Sequence, residues 1–389
     1  MTAKEILGNP DYQAISYGGY RQKSRDIQPT IPQLKEDMKL LDAMGIHLIR
    51  TYNVHLAQAA NLLEAIRQLN AEDPNFKMYV MLGAWIDCAY AWLDWRHPDH
   101  FQESERNPKE VAEAVRLAQE YPDVVKIIAI GNEAMIRWAA AYYVQPHVIL
   151  KYVNQLQEMK QNGELPADLW ITCSDDFASW GGGDPSYHNE DLVALIKAVD
   201  FISMHTYPFH NSHYNPQFWH RSQDSEHLTE VEAVDAAMVR ARDFAINHYK
   251  AVKAYMESQG VNKPIHIGET GWASLSDGLY GPQGSQAADQ YKQARYYHLM
   301  REWTNAEGIA CFFFEAFDEP WKDAGNPIGS ENHFGLFTVT GEAKYALWDL
   351  VDQGTFEGLT RDENPILKTF KGEESAVLET VTAPPIAVH

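Results

Sequence analysis

The chain has 389 residues, 45% of them hydrophobic and 22% charged, with a formal net charge of −22, the profile of an ordinary folded chain with material for one extensive core or two smaller ones. So acidic a chain does not suit nucleic acid or an anionic membrane surface, whereas a neutral substrate is compatible with it. No stretch is long and apolar enough to span a bilayer, so neither nucleic acid nor membrane is an expected partner.

The N-terminal residues MTAKEILGNPDYQAISYGGY contain no basic segment followed by an apolar core. As it stands the chain reads as cytoplasmic; a leader removed ahead of it would make it secreted or periplasmic. The first apolar run, AISYGG (14–19), is a predicted strand. LKEDMKLLDAMG (34–45) carries a helical pattern and ends on Gly45, a C-cap signal. Strand two is IHLIRTY (46–52) and strand three KMYVML (77–82). NPKEVAEAVRLAQEY (107–121) is a helix with Pro108 in its first turn. Strands four to eight follow as VKIIAIG (125–131), LWITCS (169–174), DFISMHTY (200–207), PIHIGE (264–269) and GIACFFFE (308–315). These runs are short and mostly rich in β-branched or aromatic residues, as buried parallel strands are.

Eight strand–helix alternations without a linker or internal repeat predict an α/β fold, a single-domain (β/α)8 TIM barrel over residues 1–354. Residues 355–389 are expected to be an extension, packed on the barrel or mobile, and no pattern is visible from about 372 onward. Residues 134–150 and 208–230 are expected loops at the barrel mouth. A doubly wound sheet would call for a Gly-rich strand-to-helix turn; the GGG at 181–183 follows a Trp-rich loop and opens no helix. Cys88, Cys173 and Cys311 are odd in number and form no CxxC pair, so buried free thiols are expected.

In such barrels the reactive side chains sit at the C-terminal ends of the strands. Here those ends carry Arg50, Tyr52 and Asn53; Asn132 and Glu133; Asp175 and Asp176; His205 and Tyr207; Glu269 and Trp272; and Glu315, followed by Glu319, Trp321 and Lys322. Strands four and seven face each other across the mouth, which sets Glu133 opposite Glu269. Retaining cleavage of a glycosidic bond needs two carboxyls about 5–5.5 Å apart, one protonated and one ionised. Glu133 is the expected general acid/base and Glu269 the nucleophile. Arg50 would hold Glu269 ionised, Tyr207 would donate to it, and Asn132 would orient a sugar hydroxyl. Either glutamate alone reads equally well as a structural ion pair; together at matching strand ends they reinforce each other. A loop cap or Asx turn is the favoured reading for at least one of Asp175 and Asp176, and Glu315, next to CFFF, needs a buried partner. His205, His210, His213 and His220 match no metal-ligand spacing, so no metal and no cofactor is expected. Of eleven tryptophans, Trp272 and Trp321 flank the proposed catalytic ends and rank first as sugar platforms.

IRTYN (49–53), AIGNEA (129–134), MHTYPF (204–209), IGETGWAS (267–274), FFFEAFDEPWK (312–322) and ENHFGLF (331–337) together resemble glycoside hydrolase family 17, in its bacterial and fungal form. The resemblance spans about residues 15–350. It implies cofactor-free double displacement on β-1,3-glucan, with Glu133 matching the acid/base and Glu269 the nucleophile. Tyr207, Trp272 and the pair Glu315–Lys322 match further site positions. The expected activity is endo-hydrolysis of laminarin-type glucan, with a glucan polysaccharide or oligosaccharide as partner. A glucanosyltransferase or exo-acting enzyme would use the same pair; a non-catalytic glucan-binding barrel and a histidine-metal hydrolase are the rival classes. WIDCAYAWLDW (85–95) and RWAAAYYV (137–144) match no motif of that family.

Overall fold

In the computed structural model, which describes residues 1–223 and 227–387, eight parallel strands close on themselves. They are β1 (Gln13–Ser16), β2 (Ile46–Arg50), β3 (Tyr79–Ala84), β4 (Val125–Asn132), β5 (Trp170–Asp176), β6 (Ile202–His205), β7 (Ile265–Gly271) and β8 (Cys311–Phe314). Each pairs with its sequence neighbours, and β1 meets β8 through Ile15 and Phe313. All eight predicted runs are barrel strands. No helix among the described residues is long and apolar enough to cross a membrane.

Alternation along each strand divides the core in two. Ala14, Leu48, Met81, Ile127, Ala129, Phe201 and Phe312 form one buried cluster with Ala3 and Ile6 of the N-terminal helix Ala3–Ile6. That helix, capped by a Thr2–Glu5 capping box, packs against the barrel's inward apolar layer. The alternate residues, among them Ile15, Ile49, Val80, Ile128, Ile171, Ile202, Ile267 and Phe313, belong to a second cluster shared with the surrounding helices. Continuing the inward register toward the strand ends replaces apolar side chains by Ser16, Arg50, Ser174, Ser203 and His205, all buried. The polar mouth is therefore the next turn of the same pleat that fills the barrel.

Helix Ile31–Ala43 starts at Thr30, whose capping box with Gln33 satisfies two backbone donors, and ends before Gly45 at φ +79°, the left-handed conformation that glycine takes freely. Helix Asn107–Glu120 has Pro108 in its first turn. The expected mouth loops are partly helical: Pro146–Gln161 begins inside the first, and Pro208–Tyr214 lies in the second. Residues 224–226 of that second expected loop lie outside the described residues.

Between β3 and the helix Asn107–Glu120, residues 85–103 form an excursion. Its antiparallel strands Cys88–Ala89 and Asp99–Glu103 were not predicted. Beyond residue 355 the chain lies against the barrel. Arg361 is buried on Asp37, a short helix Glu374–Leu378 buries Val377, and Ile386 bridges Arg221. Residues 388–389 of that extension lie outside the described residues. All three cysteines are buried and free.

Candidate active site

At the end of β4, Gly131 (φ +86°) and Glu133 (φ +46°) both take left-handed backbone, and the Glu133 amide donates to Ser174 O at 3.0 Å. A non-glycine residue adopts this conformation uncommonly. Asp175 Oδ2 accepts from the Met135 amide at 2.8 Å and Asp176 Oδ1 from the Ala178 amide at 2.8 Å. These two aspartates cap the loops that carry the site.

Glu269, on β7, is buried and fully engaged. Its Oε2 accepts from Arg50 Nη1 and from the Tyr52 hydroxyl, each at 2.8 Å, and its Oε1 from the Tyr207 hydroxyl at 2.6 Å. Burial alone would raise its pKa. The positive fields of His205 and Arg50 and the two tyrosine hydroxyls reverse that and hold it at about 2. His205 is itself pushed down to about 4 by burial, so at neutral pH Arg50 is the standing positive charge.

Glu133 is in the opposite condition. Burial first, then the negative charges of Glu269 and Asp175, push its carboxyl well above the ordinary range, which favours the protonated form that a general acid needs. A carboxylate oxygen of Glu133, one of Glu269 and a ring nitrogen of His205 all lie within 4.8 Å of one another. His205 Nε2 faces Arg50 Nη1 at 3.3 Å and Ser174 Oγ at 2.7 Å. Arginine only donates, so Nε2 accepts and Nδ1 carries the hydrogen. Nδ1 then donates to Glu133 Oε1 at 3.0 Å, which leaves Oε2 to hold the acidic proton. Ser203 Oγ, 2.8 Å from Ser174 Oγ, continues the chain. Gly268 makes room for it, since a Cβ there would stand 2.0 Å from Ser203 Oγ.

Arg50 is a positioning residue, 1% exposed, that also donates to Gly268 O at 2.9 Å and to Asn132 Oδ1 at 2.6 Å. With its oxygen so used, Asn132 has its amide NH2 left for the cleft. That cleft, about 1200 Å³, runs from Trp321, Lys322 and Glu315 beside β8, past Tyr52, Asn132 and Glu269, to Trp85 and Arg106 beside β3. Glu315 is buried 3.2 Å from Lys322 Nζ. Burial raises the Glu315 carboxyl against the pull of Lys322. Burial would lower the pKa of Lys322, but the charges of Glu315, Glu319 and Glu331 outweigh it. Trp321 is held by its N–H on Glu319 (2.9 Å) and by Arg25 over its ring (4.1 Å).

Trp272 corrects the expectation from sequence. It is fully buried, donates its N–H to Ala287 O at 2.8 Å and packs among Phe209, Trp219 and Tyr296. No face is left for a sugar. Glu269 points into the mouth, whereas Trp272 shares the outward parity of Thr270, whose hydroxyl meets Tyr296 of the helix Gln290–Glu307. Trp180 and Trp219 are likewise buried. The sequence places His205 at the end of strand six without assigning it a partner; the structure sets it against Glu133. Glu319, following strand eight as expected, and Tyr142, not singled out from sequence, also line the cleft.

Among the described residues, Glu133, His205 and Glu269 are the one group with metal-ligand spacing. Both Glu269 oxygens are already taken by hydrogen bonds, and the Arg50 guanidinium 2.8 Å away would repel a cation. The site does not suit a metal. His210, His213 and His220 do not join this group; His210 pairs with the Tyr280 hydroxyl at 3.0 Å.

Residues 14–335 match the family model described as the BtgE/BtgC glycoside hydrolase domain. The structure superposes on that of an endo-laminarinase from Formosa Hel1_33_131 with a TM-score of 0.99 and 60% identity, covering 100% of this chain and 99% of that one. A probable glucan endo-1,3-beta-glucosidase btgC from Aspergillus terreus is 22% identical over 356 residues, 86% of this chain and 45% of the relative. The chain thus spans under half the length of that relative. A glucan 1,3-beta-glucosidase from Schizosaccharomyces pombe is 26% identical over 305 residues, 77% of this chain and 76% of the relative.

Proposed function

The chain belongs to the BtgE/BtgC glycoside hydrolase domain family, and on that premise we propose that it is a retaining, endo-acting hydrolase of laminarin-type β-1,3-glucan, of the glycoside hydrolase family 17 type. One observation carries the mechanism: two carboxyls with oxygens within 4.8 Å of each other, in surroundings that push the pKa of Glu133 up and that of Glu269 down. An inverting enzyme needs them about 6.5–9.5 Å apart, with room for water between. The substrate reading is supported by the endo-laminarinase likeness over the whole chain and by a cleft of about 1200 Å³ lined by aromatic and polar side chains from Trp321 to Trp85.

In the first step a Glu269 oxygen attacks the anomeric carbon, the glycosidic C–O bond breaks, and the departing oxygen takes the proton of Glu133 Oε2. Glycosylation removes the negative charge of Glu269, the second cause of the raised Glu133 pKa. The Glu133 pKa therefore falls in the glycosyl-enzyme, which favours the ionised carboxylate that acts next as base. It then takes a proton from water as the water oxygen attacks the anomeric carbon. The bond to Glu269 breaks, and both carboxyls return to their starting states. Arg50, Tyr52 and Tyr207 orient the nucleophile, and Asn132 offers its amide to a sugar hydroxyl. Trp321, Lys322 and Glu315 furnish an aromatic face and a charged rim for a neighbouring glucosyl unit. Residues 1–354 form the catalytic unit in this reading, with 355–389 as an extension packed on it.

Digestion of laminari-oligosaccharides, followed by NMR and by product length, tests the proposal. The expected result is β-configured product first and internal cleavage. First-formed α product would exclude retention, and products longer than the substrate would make the enzyme a glucanosyltransferase.

A further inference from the structure

We infer that the excursion of residues 85–103 builds an additional sugar subsite at the β3 end of the cleft, one that takes a glucosyl unit of a longer chain. The inference rests on the β-1,3-glucan reading above and adds a specificity element that the catalytic pair does not contain.

Three aromatic rings meet there. Trp92 stacks on Tyr142 with centroids 5.0 Å apart and planes 20° apart, and Trp85 packs on Tyr142 at 5.1 Å. All three border the cleft. Trp92 remains 53% exposed, although a tryptophan packed only for stability would be expected to hide that surface. Its backbone is left-handed, φ +65°, an uncommon conformation for a bulky residue. The ring is fixed by its N–H on Asp87 Oδ2 (3.1 Å), which also accepts from Arg106 Nη2 (2.6 Å).

Asp87 supplies the second observation. It borders the cleft and is 2% exposed, yet its Oδ1 has no hydrogen-bond partner. Leaving a carboxylate oxygen so placed unpaired is costly. The position is rigid: Asp87 N donates to Asn107 Oδ1 (3.1 Å), and Asp87 O accepts from Ser104 N (3.0 Å) and Asn107 Nδ2 (2.8 Å). An exposed aromatic face for the apolar side of a pyranose, a preorganised acceptor and the Arg106 donors at the rim make the polar-and-aromatic combination that binds a sugar.

Kinetics of the wild type, Trp92→Ala, Trp92→Phe and Asp87→Asn on laminari-oligosaccharides of increasing length test this, with calorimetric binding of the longest. The expected result is a KM penalty that grows with length and reaches about ten-fold on the longest chains at nearly constant kcat. Binding of the longest chain should weaken in parallel, and Trp92→Phe should recover most of the loss. An equal penalty at every length, or none at any, would overturn the subsite. If the wild type cleaves a different β-glucan and no laminari-oligosaccharide, the linkage reading fails, and the same length comparison on that glucan decides the subsite.

Discussion

Glu133 and Glu269 share one mouth and one chemical type but are held in different states by their neighbours. Glu269 faces a guanidinium and two phenols; Glu133 faces a neutral imidazole and the charge of Glu269. Their protonation is therefore linked, and the link is testable. Glu269→Gln should abolish glucan cleavage and also lower the pKa of Glu133, because the nearby negative charge is gone. Carbon-labelled glutamate NMR reads this directly; an unchanged Glu133 titration would break the proposed coupling. Arg50→Met removes the standing positive charge from Glu269, so its pKa should rise from about 2. The acid limb of the kcat/KM profile should then move to higher pH, and the alkaline limb, set by loss of the Glu133 proton, should move the same way, because the Arg50 charge also lowers the Glu133 pKa. Deleting one partner of a buried ion pair also costs about 3–5 kcal/mol of stability, so the profile is read below the variant's unfolding temperature.

Each strand is an apolar run that turns polar within two residues of its end, and that change made both barrel and site readable. Parallel strands buried on both faces appear as continuous apolar runs. Leu48, Arg50 and Tyr52 share one parity, so a polar residue following the run is aimed into the mouth. The same parity explains the error at Trp272, where its distance from Glu269 was judged by proximity rather than by face. Trp272→Ala should cost about 3–5 kcal/mol in denaturant unfolding while leaving KM near the wild-type value. A large KM change at unaltered stability would restore it to the sugar surface. The hairpin of residues 85–103 was illegible for another reason. One of its strands has two residues and the other, DHFQE, is only half-buried or exposed, so neither shows the alternation that betrays a strand. The helix Glu374–Leu378 is too short to display a period.

At the scale of the molecule, one buried anion, Asp37, helps to tie the extension to the barrel. Asp37 accepts from the Tyr17 hydroxyl (2.8 Å), Arg21 (2.8 Å) and Arg361 (2.9 Å), and all of these side chains are nearly or fully buried. Tyr17 borders the cleft and Arg361 lies 4.0 Å over the Phe317 ring, so the extension bears on the wall of the site. Asp37→Ala should cost about 3–5 kcal/mol by stranding two guanidinium groups, with Arg361→Met less damaging; calorimetric melting ranks them. The Arg361–Asp37 pair joins residues 324 positions apart and left no local trace in the sequence. The claim on which all of this converges is that Glu269 becomes covalently bound to sugar. A 2-deoxy-2-fluoro laminaribioside with an activated leaving group, followed by mass spectrometry of the digested protein, measures it. A glycosyl adduct on the peptide containing Glu269, absent in Glu269→Gln, is the predicted result; turnover with no adduct, or an adduct on another residue, would contradict it.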